Sequence, residues 1–233
     1  MSSQFSLADS LSLSDLHVFL SRSARIDDGG VRLVADGTVL AVYVAVFYPV
    51  GLLDSSPTVL GLRTFALETP VLVDAVVPLR AMIDRLVRLQ NESVDATAPV
   101  TVTLPPTILS ATWAAISPPR GGWEQRDSVD ASILTAVATQ GIDEVASLVP
   151  EGLGEQLVQR VRSEVWGKPL VGSAEVPSGA AFAALALGFL GERDSATRLT
   201  PREVQIFSVG SWVRLSTERG HVLVKRRSAS LLG

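Results

Sequence analysis

Residues 37–53 read GTVLAVYVAVFYPVGLL, a run without a single charge, and no other stretch narrows the possible folds as much. A helix needs roughly 17–25 apolar residues to cross a bilayer, so the run is either a membrane span or a strand buried in a folded domain. Three features select the strand. Val, Tyr and Phe dominate it, and β-branched and aromatic side chains suit a pleated surface. Pro49 removes a backbone donor within it. Asp36 and Asp54 flank it without the Lys/Arg asymmetry that orients membrane spans. Thr38–Tyr48 is therefore predicted as a strand, apolar on both faces and central in its sheet.

The neighbouring segments supply the rest of an N-terminal sheet and its helices. Leu13, Leu16, Leu20 and Ala24 recur at helical spacing behind Ser12, with Asp15 three residues on as an acidic capping box. Asp27-Asp28-Gly29-Gly30 is turn chemistry. Val31–Ala35 reads as a short strand, joined to the next by Asp36-Gly37 as a two-residue hairpin turn. After a loop over Gly51–Pro57, Thr58–Leu67 and Val71–Val77 read as two further strands separated at Pro70. Pro78 then opens a helix whose stripe is Leu79, Met82, Ile83, Leu86 and Leu89. Val100–Leu104 alternates and closes the series as a half-buried strand. This order predicts an α+β sandwich with helices on one face of a mainly antiparallel sheet.

Beyond a Pro/Gly-rich stretch the pattern turns helical. Asp130–Leu148, Gly154–Trp166 and Pro177–Leu190 carry helical stripes, the third uncharged and rich in small residues, as a buried central helix would be. Thr200-Pro201-Arg202-Glu203 has the cap, first-position proline and third-position acid of another helix start. Trp212–Ser216 and His221–Lys225 alternate around Glu218-Arg219-Gly220 as a terminal hairpin. The expected organisation is an α+β sandwich over residues 1–110, a junction over 111–127, and a mostly helical domain with a C-terminal β-hairpin over 128–233.

Composition bounds the function. There is no cysteine, so disulfides, thiolate metal sites and cysteine nucleophiles are excluded. Apolar residues make up 47% of the chain and charged ones only 19%, with mean hydropathy +0.33, so apolar surface is expected to be hidden in a homodimer. A net charge of −4 argues against nucleic acid as a whole-protein partner. The first residues lack a basic stretch followed by an apolar run, which fits a soluble cytoplasmic protein without a secretory signal. Neither His17 nor His221 stands in metal-ligand spacing, and His221, at a hairpin turn, is expected to be exposed. No G-x-S-x-G elbow is present, and Gly152-Leu153-Gly154 lacks the third glycine and the lysine of a phosphate loop. No cofactor, metal site or catalytic residue is predicted, and the leaning is away from an enzyme.

Two segments remain as candidate sites. Ser117-Pro118-Pro119-Arg120-Gly121-Gly122-Trp123-Glu124 joins stiff prolines, permissive glycines and two residue types common at binding hot spots. As a ligand site it would use Arg120, Trp123 and Glu124; as a plain interdomain linker, the reading favoured here, it would use none of them. At the C-terminus, helices followed by a hairpin and a basic tail follow the order of a winged helix. Arg214, Arg219, Lys225, Arg226 and Arg227 would then contact DNA phosphates. The leading reading is a non-catalytic binding or assembly protein. A small-ligand binder or enzyme at the junction, and a DNA-binding regulator, are the alternatives.

Overall fold

Residues 37–47 of the uncharged run belong to a strand: in a computed structural model of the chain, Gly30–Phe47 is continuous β-structure. Residues 3–51, 54, 56–92, 95–149, 154–170, 173–191 and 202–226 are described. The fold is mixed α+β, with five helices and a mainly antiparallel sheet of eight strands among these residues. No helix among them is long and apolar enough to cross a membrane. Two units are distinguishable, Met1–Ala45 with Leu62–Ser117, and Val46–Gly61 with Pro118–Gly233.

The first unit is built from β1 (Gln4–Leu7), α1 (Ser10–Ser23), β2 (Gly30–Phe47), β3 (Thr58–Pro78), α2 (Leu79–Glu92) and β4 (Val100–Thr103). Its strand order is β4-β1-β3, with β2 also paired to β3. Leu13, Leu16, Phe19 and Leu20 of α1 and Leu79, Met82 and Leu86 of α2 are buried, and the two helices pack on each other. The α1 cap is Asp9, not Ser12: the Asp9 carboxylate accepts from the Ser12 amide at 2.6 Å, and that bond holds its pKa below the ordinary value. The buried stripe begins only at Leu13, with Leu11 exposed, so it reports the buried face and not the helix start.

Strand lengths depart further from expectation. Asp36-Gly37 is not a hairpin turn; Gly37 takes φ +114° inside β2 and the strand continues through it. β2 pairs instead with β3, the next strand in the chain. The two strands expected at 58–67 and 71–77 are one, since Pro70 removes a single ladder donor and leaves its neighbours paired. β2 is not central either, because among the described residues its strand partner is β3 alone. Its apolar run reflects Leu40, Val42 and Val44 fully buried on one side, with Ala41 and Tyr43 half-covered on the other.

One side chain ties this unit together. Arg32 on β2 is 13% exposed and donates through Nε and Nη2 to the two Asp74 oxygens of β3, each at 3.0 Å. Its Nη1 donates to the Ala114 carbonyl and to Ser117 Oγ, both at 2.8 Å. The hydrogen bonds to Asp74 push the arginine's pKa up, so its charge is fully compensated in place.

The second unit holds β5 (Glu124–Asp130), α3 (Ala131–Leu148), α4 (Glu155–Trp166), the short pair β6 (Pro169–Leu170) and β7 (Ser173–Pro177), α5 (Ser178–Ala186), β8 (Glu203–Val209), β9 (Trp212–Thr217) and β10 (Gly220–Lys225). It also takes in the start of β3, and its order is β3-β10-β9-β8-β5. The three predicted helices form where the stripes place them. α5 is buried along most of its length, and its alanines let α3 approach closely. Gly141 of α3 is required by packing, because a Cβ there would collide with the Trp166 ring, which stacks on Phe182 at 4.5 Å. Val204, Ile206, Val213, Leu215, Val222 and Val224 line the buried face of the sheet.

Two segments were read differently from sequence. The helix expected from Thr200-Pro201-Arg202-Glu203 is strand β8 over its described residues, and Thr200 and Pro201 lie outside them. Val204, Ile206 and Ser208 are buried in alternation, so pairing with β5 and β9 overrides the cap signature. β5, EQRDSVD, is too polar to announce itself as a strand.

Candidate binding face around Arg214

The register of β8, β9 and β10 determines which side chains share the outer face. Phe207 and Leu223 flank Arg214 across the strands, Gln205 and His221 flank Ser216, and Val209 and Lys225 flank Trp212. Since side chains alternate along a strand, these rows stand on the face opposite the valine-rich one, with Leu223 and Trp212 buried and Phe207, Ser216 and His221 half-buried. Arg214 is half-buried there, with its Cζ 4.7 Å from the centre of the Phe207 ring.

A second ring completes a sandwich. Gly122 turns the chain with φ +76°, a conformation that disfavours other residues, and the next residue, Trp123, lies over Arg214 with Cζ 4.6 Å from its ring centre. The indole Nε1 donates to the Pro119 carbonyl at 3.0 Å, which fixes the ring. Cation–π contacts of this kind are worth about 0.5–2 kcal/mol each, more as water is excluded.

What the sandwich lacks is a counter-charge. Among the described residues Arg214 forms no ion pair, and its Nε is buried without a hydrogen-bond partner. Burial pushes its pKa down, the opposite of Arg32. The Glu124 carboxylate is taken by Arg126 at 2.7 Å, and Arg126 also donates to Ser208 Oγ at 2.8 Å across the β5 bulge. His221 is half-buried and not exposed as its turn position suggested, with Nδ1 3.1 Å from Ser216 Oγ. Burial first, and the Arg214 charge second, push its pKa down from 6.5, so the ring is neutral at neutral pH. Gln125 and Gln205 hydrogen-bond to each other next to this row.

The two candidate segments therefore meet in part. Trp123 from the proline/glycine segment and Arg214 from the C-terminal set form one cluster. Arg120 is exposed in the loop before it, and Glu124 is held by Arg126. Of the other basic residues, Lys225 lies 5.9 Å over the Trp212 ring, and Arg226 pairs with Glu175 and donates to the Gly210 carbonyl. Arg219 is exposed at the β9–β10 turn, and Arg227 falls outside the described residues. The hairpin is no wing: β9 and β10 lie inside an antiparallel sheet, so the winged-helix order is not realised. Sequence reading missed Phe207 and Ser216, because the first lay in the supposed helix and the second in a strand valued only for its arginine. Gly152 and Leu153, considered for anion binding, are outside the described residues, and no group of three or more His, Asp or Glu among those residues is placed to hold a metal.

Residues 1–105 match the model of a domain of unknown function, DUF8010, and residues 118–229 match that of another, DUF8185. No curated protein matches the chain. Among solved structures it is similar to the DNA polymerase III subunit beta from Pseudomonas aeruginosa, at 14% identity and a TM-score of 0.48, over 99% of this chain and 66% of that one. It is also similar to the DNA polymerase sliding clamp from Caulobacter crescentus, at 12% identity and a TM-score of 0.47, over 99% of this chain and 67% of that one. A putative DNA polymerase III beta subunit from Eubacterium rectale matches at 9% identity and a TM-score of 0.49, over 98% of this chain and 66% of that one. The chain spans about two thirds of the length of these proteins. Similarity at that level leaves function to be argued from the chain's own residues.

Proposed function

We propose that the chain is a non-catalytic binding or assembly protein of the cytoplasm, working as a homodimer and using the outer face of β8–β10 for recognition. The observation that carries this reading is the Trp123–Arg214–Phe207 sandwich without an acid of its own. A structural arginine is neutralised where it sits, as Arg32 is by Asp74. An arginine stacked between aromatic rings and left unneutralised has the residue types and setting of an interface hot spot. The shifted carboxylates Asp9, Asp95 and Asp130 each accept local amide or hydroxyl bonds at caps and turns, so their shifts have a structural cause.

The high apolar content and low charge support self-association. The DNA-binding alternative is weakened by Arg226, whose charge is met by Glu175, and by Glu203 on the arginine face, with Asp130 of β5 opposite it. Light scattering across a wide range of chain concentrations tests the assembly reading. It predicts a mass of twice 24.7 kDa that does not change on dilution. A single-chain mass throughout contradicts it. Anisotropy with labelled duplex at low salt provides the other arm: a steep, salt-sensitive rise would favour the DNA reading instead.

A further inference from the structure

We infer that Arg214 is a receptor for one carboxylate, presented by a peptide segment of a protein partner next to an apolar side chain. The inference rests on the binding reading above and names what that face binds.

The geometry of the guanidinium is the first argument. Two rings, with centres 4.6 and 4.7 Å from its Cζ, pack against it, so its N–H donors are offered where the rings leave it open. A planar fork of donors matches a carboxylate, which accepts two parallel bonds. Nε is sealed and unpartnered, whereas the two terminal nitrogens are not sealed in this way. The second argument is charge. Arg126 is met by Glu124 and Arg226 by Glu175, whereas Arg214 and Lys225, which lies over the Trp212 ring on the same face, pair with no acid among the described residues. Of the two, Arg214 alone offers a planar fork, which calls for an anion that takes paired bonds.

The surroundings select a peptide over a nucleic acid. Phosphate backbones are bound by several cations spread along a surface. Here Glu203 stands on the same face of β8, with Asp130 of β5 opposite it, so a phosphate chain running along the face would meet like charge. Trp123, Phe207 and half-buried Val209 present apolar surface beside the fork, which suits a side chain adjoining the carboxylate. The Ser216 hydroxyl and Gln205 amide on the next row add polar groups within the same face.

The test uses the intact chain and NMR of the His221 ring and the Trp123 indole. The probes are an acetylated, amidated Phe-Asp dipeptide, its Phe-Asn counterpart, benzoate and inorganic phosphate. The inference predicts saturable shifts with Phe-Asp, at least about tenfold weaker binding of Phe-Asn, and the same loss with Phe-Asp on Arg214→Gln. Because the Asp/Asn pair is compared on unaltered protein, the result stands even if the variant folds poorly. Benzoate binding as tightly as the dipeptide would replace the protein partner by a small carboxylate and overturn the inference. So would preference for phosphate, or shifts equal for Asp and Asn. These outcomes are separate from the light-scattering result: a dimer that ignores Phe-Asp keeps the assembly reading and removes this one.

Discussion

Arg32 in the first unit and Arg214 in the second are both sheet arginines, both largely covered, and are treated in opposite ways. Arg32 meets a bidentate carboxylate, a carbonyl and a hydroxyl, and its pKa is pushed up. Arg214 meets two aromatic rings and no acid among the described residues, and its pKa is pushed down. Burying a charge costs free energy that a local partner must offset. Where the partner is inside the unit, the arginine serves the fold. Where rings hold it but nothing neutralises it, the missing interaction points outside the chain.

Three substitutions probe that contrast, the largest effect first. Arg32→Met leaves Asp74 uncompensated and frees the Ala114–Ser117 segment, and is expected to cost about 2 kcal/mol in urea unfolding. The loss falls short of that for a fully buried pair because Asp74 is partly open to solvent. A change near zero would erase the distinction between the two arginines. Gly122→Ala forces a side chain into φ +76° and is expected to cost about 1 kcal/mol, with Trp123 displaced from Arg214. Its Trp123 indole NMR signal should shift while signals from the first unit stay in place; an unchanged indole would show that the glycine does not set the sandwich.

The smallest effect is in pH dependence. The folded His221 has a pKa below its unfolded 6.5, so the unfolded chain binds its proton first as the pH falls. Stability should therefore decline as the pH drops through about 6.5 towards the folded value and flatten below it. His221→Gln should flatten this decline, and a slope unchanged by that substitution would place the titration elsewhere. Urea midpoints at about pH 7.5 and about pH 5.5 measure it.

The sequence carried much of this architecture because periodicity reports burial. All five helices stand on stripes visible in the chain, and the β9–β10 hairpin announced itself through alternation around Glu218-Arg219-Gly220. What escaped was structure maintained by neighbours. β1 has four residues and is defined by pairing with β4, and β5 is polar along its length. β8 wore a helix cap that sheet pairing overrode. The binding face was half legible: Trp123 and Arg214 were each singled out, ninety-one positions apart, but nothing in the residues showed that one covers the other. Only the strand register and the positive φ of Gly122 bring them together.

The most direct measurement is the unfolding free energy of Arg214→Met beside that of the parent chain. Methionine keeps an apolar, polarizable side chain between the rings and removes the orphaned Nε with its charge. If Arg214 is held for a partner, stability should stay within about 0.5 kcal/mol of the parent or rise. A loss as large as that of Arg32→Met would show that the fold itself depends on the charge, and would contradict the assignment of this face to binding.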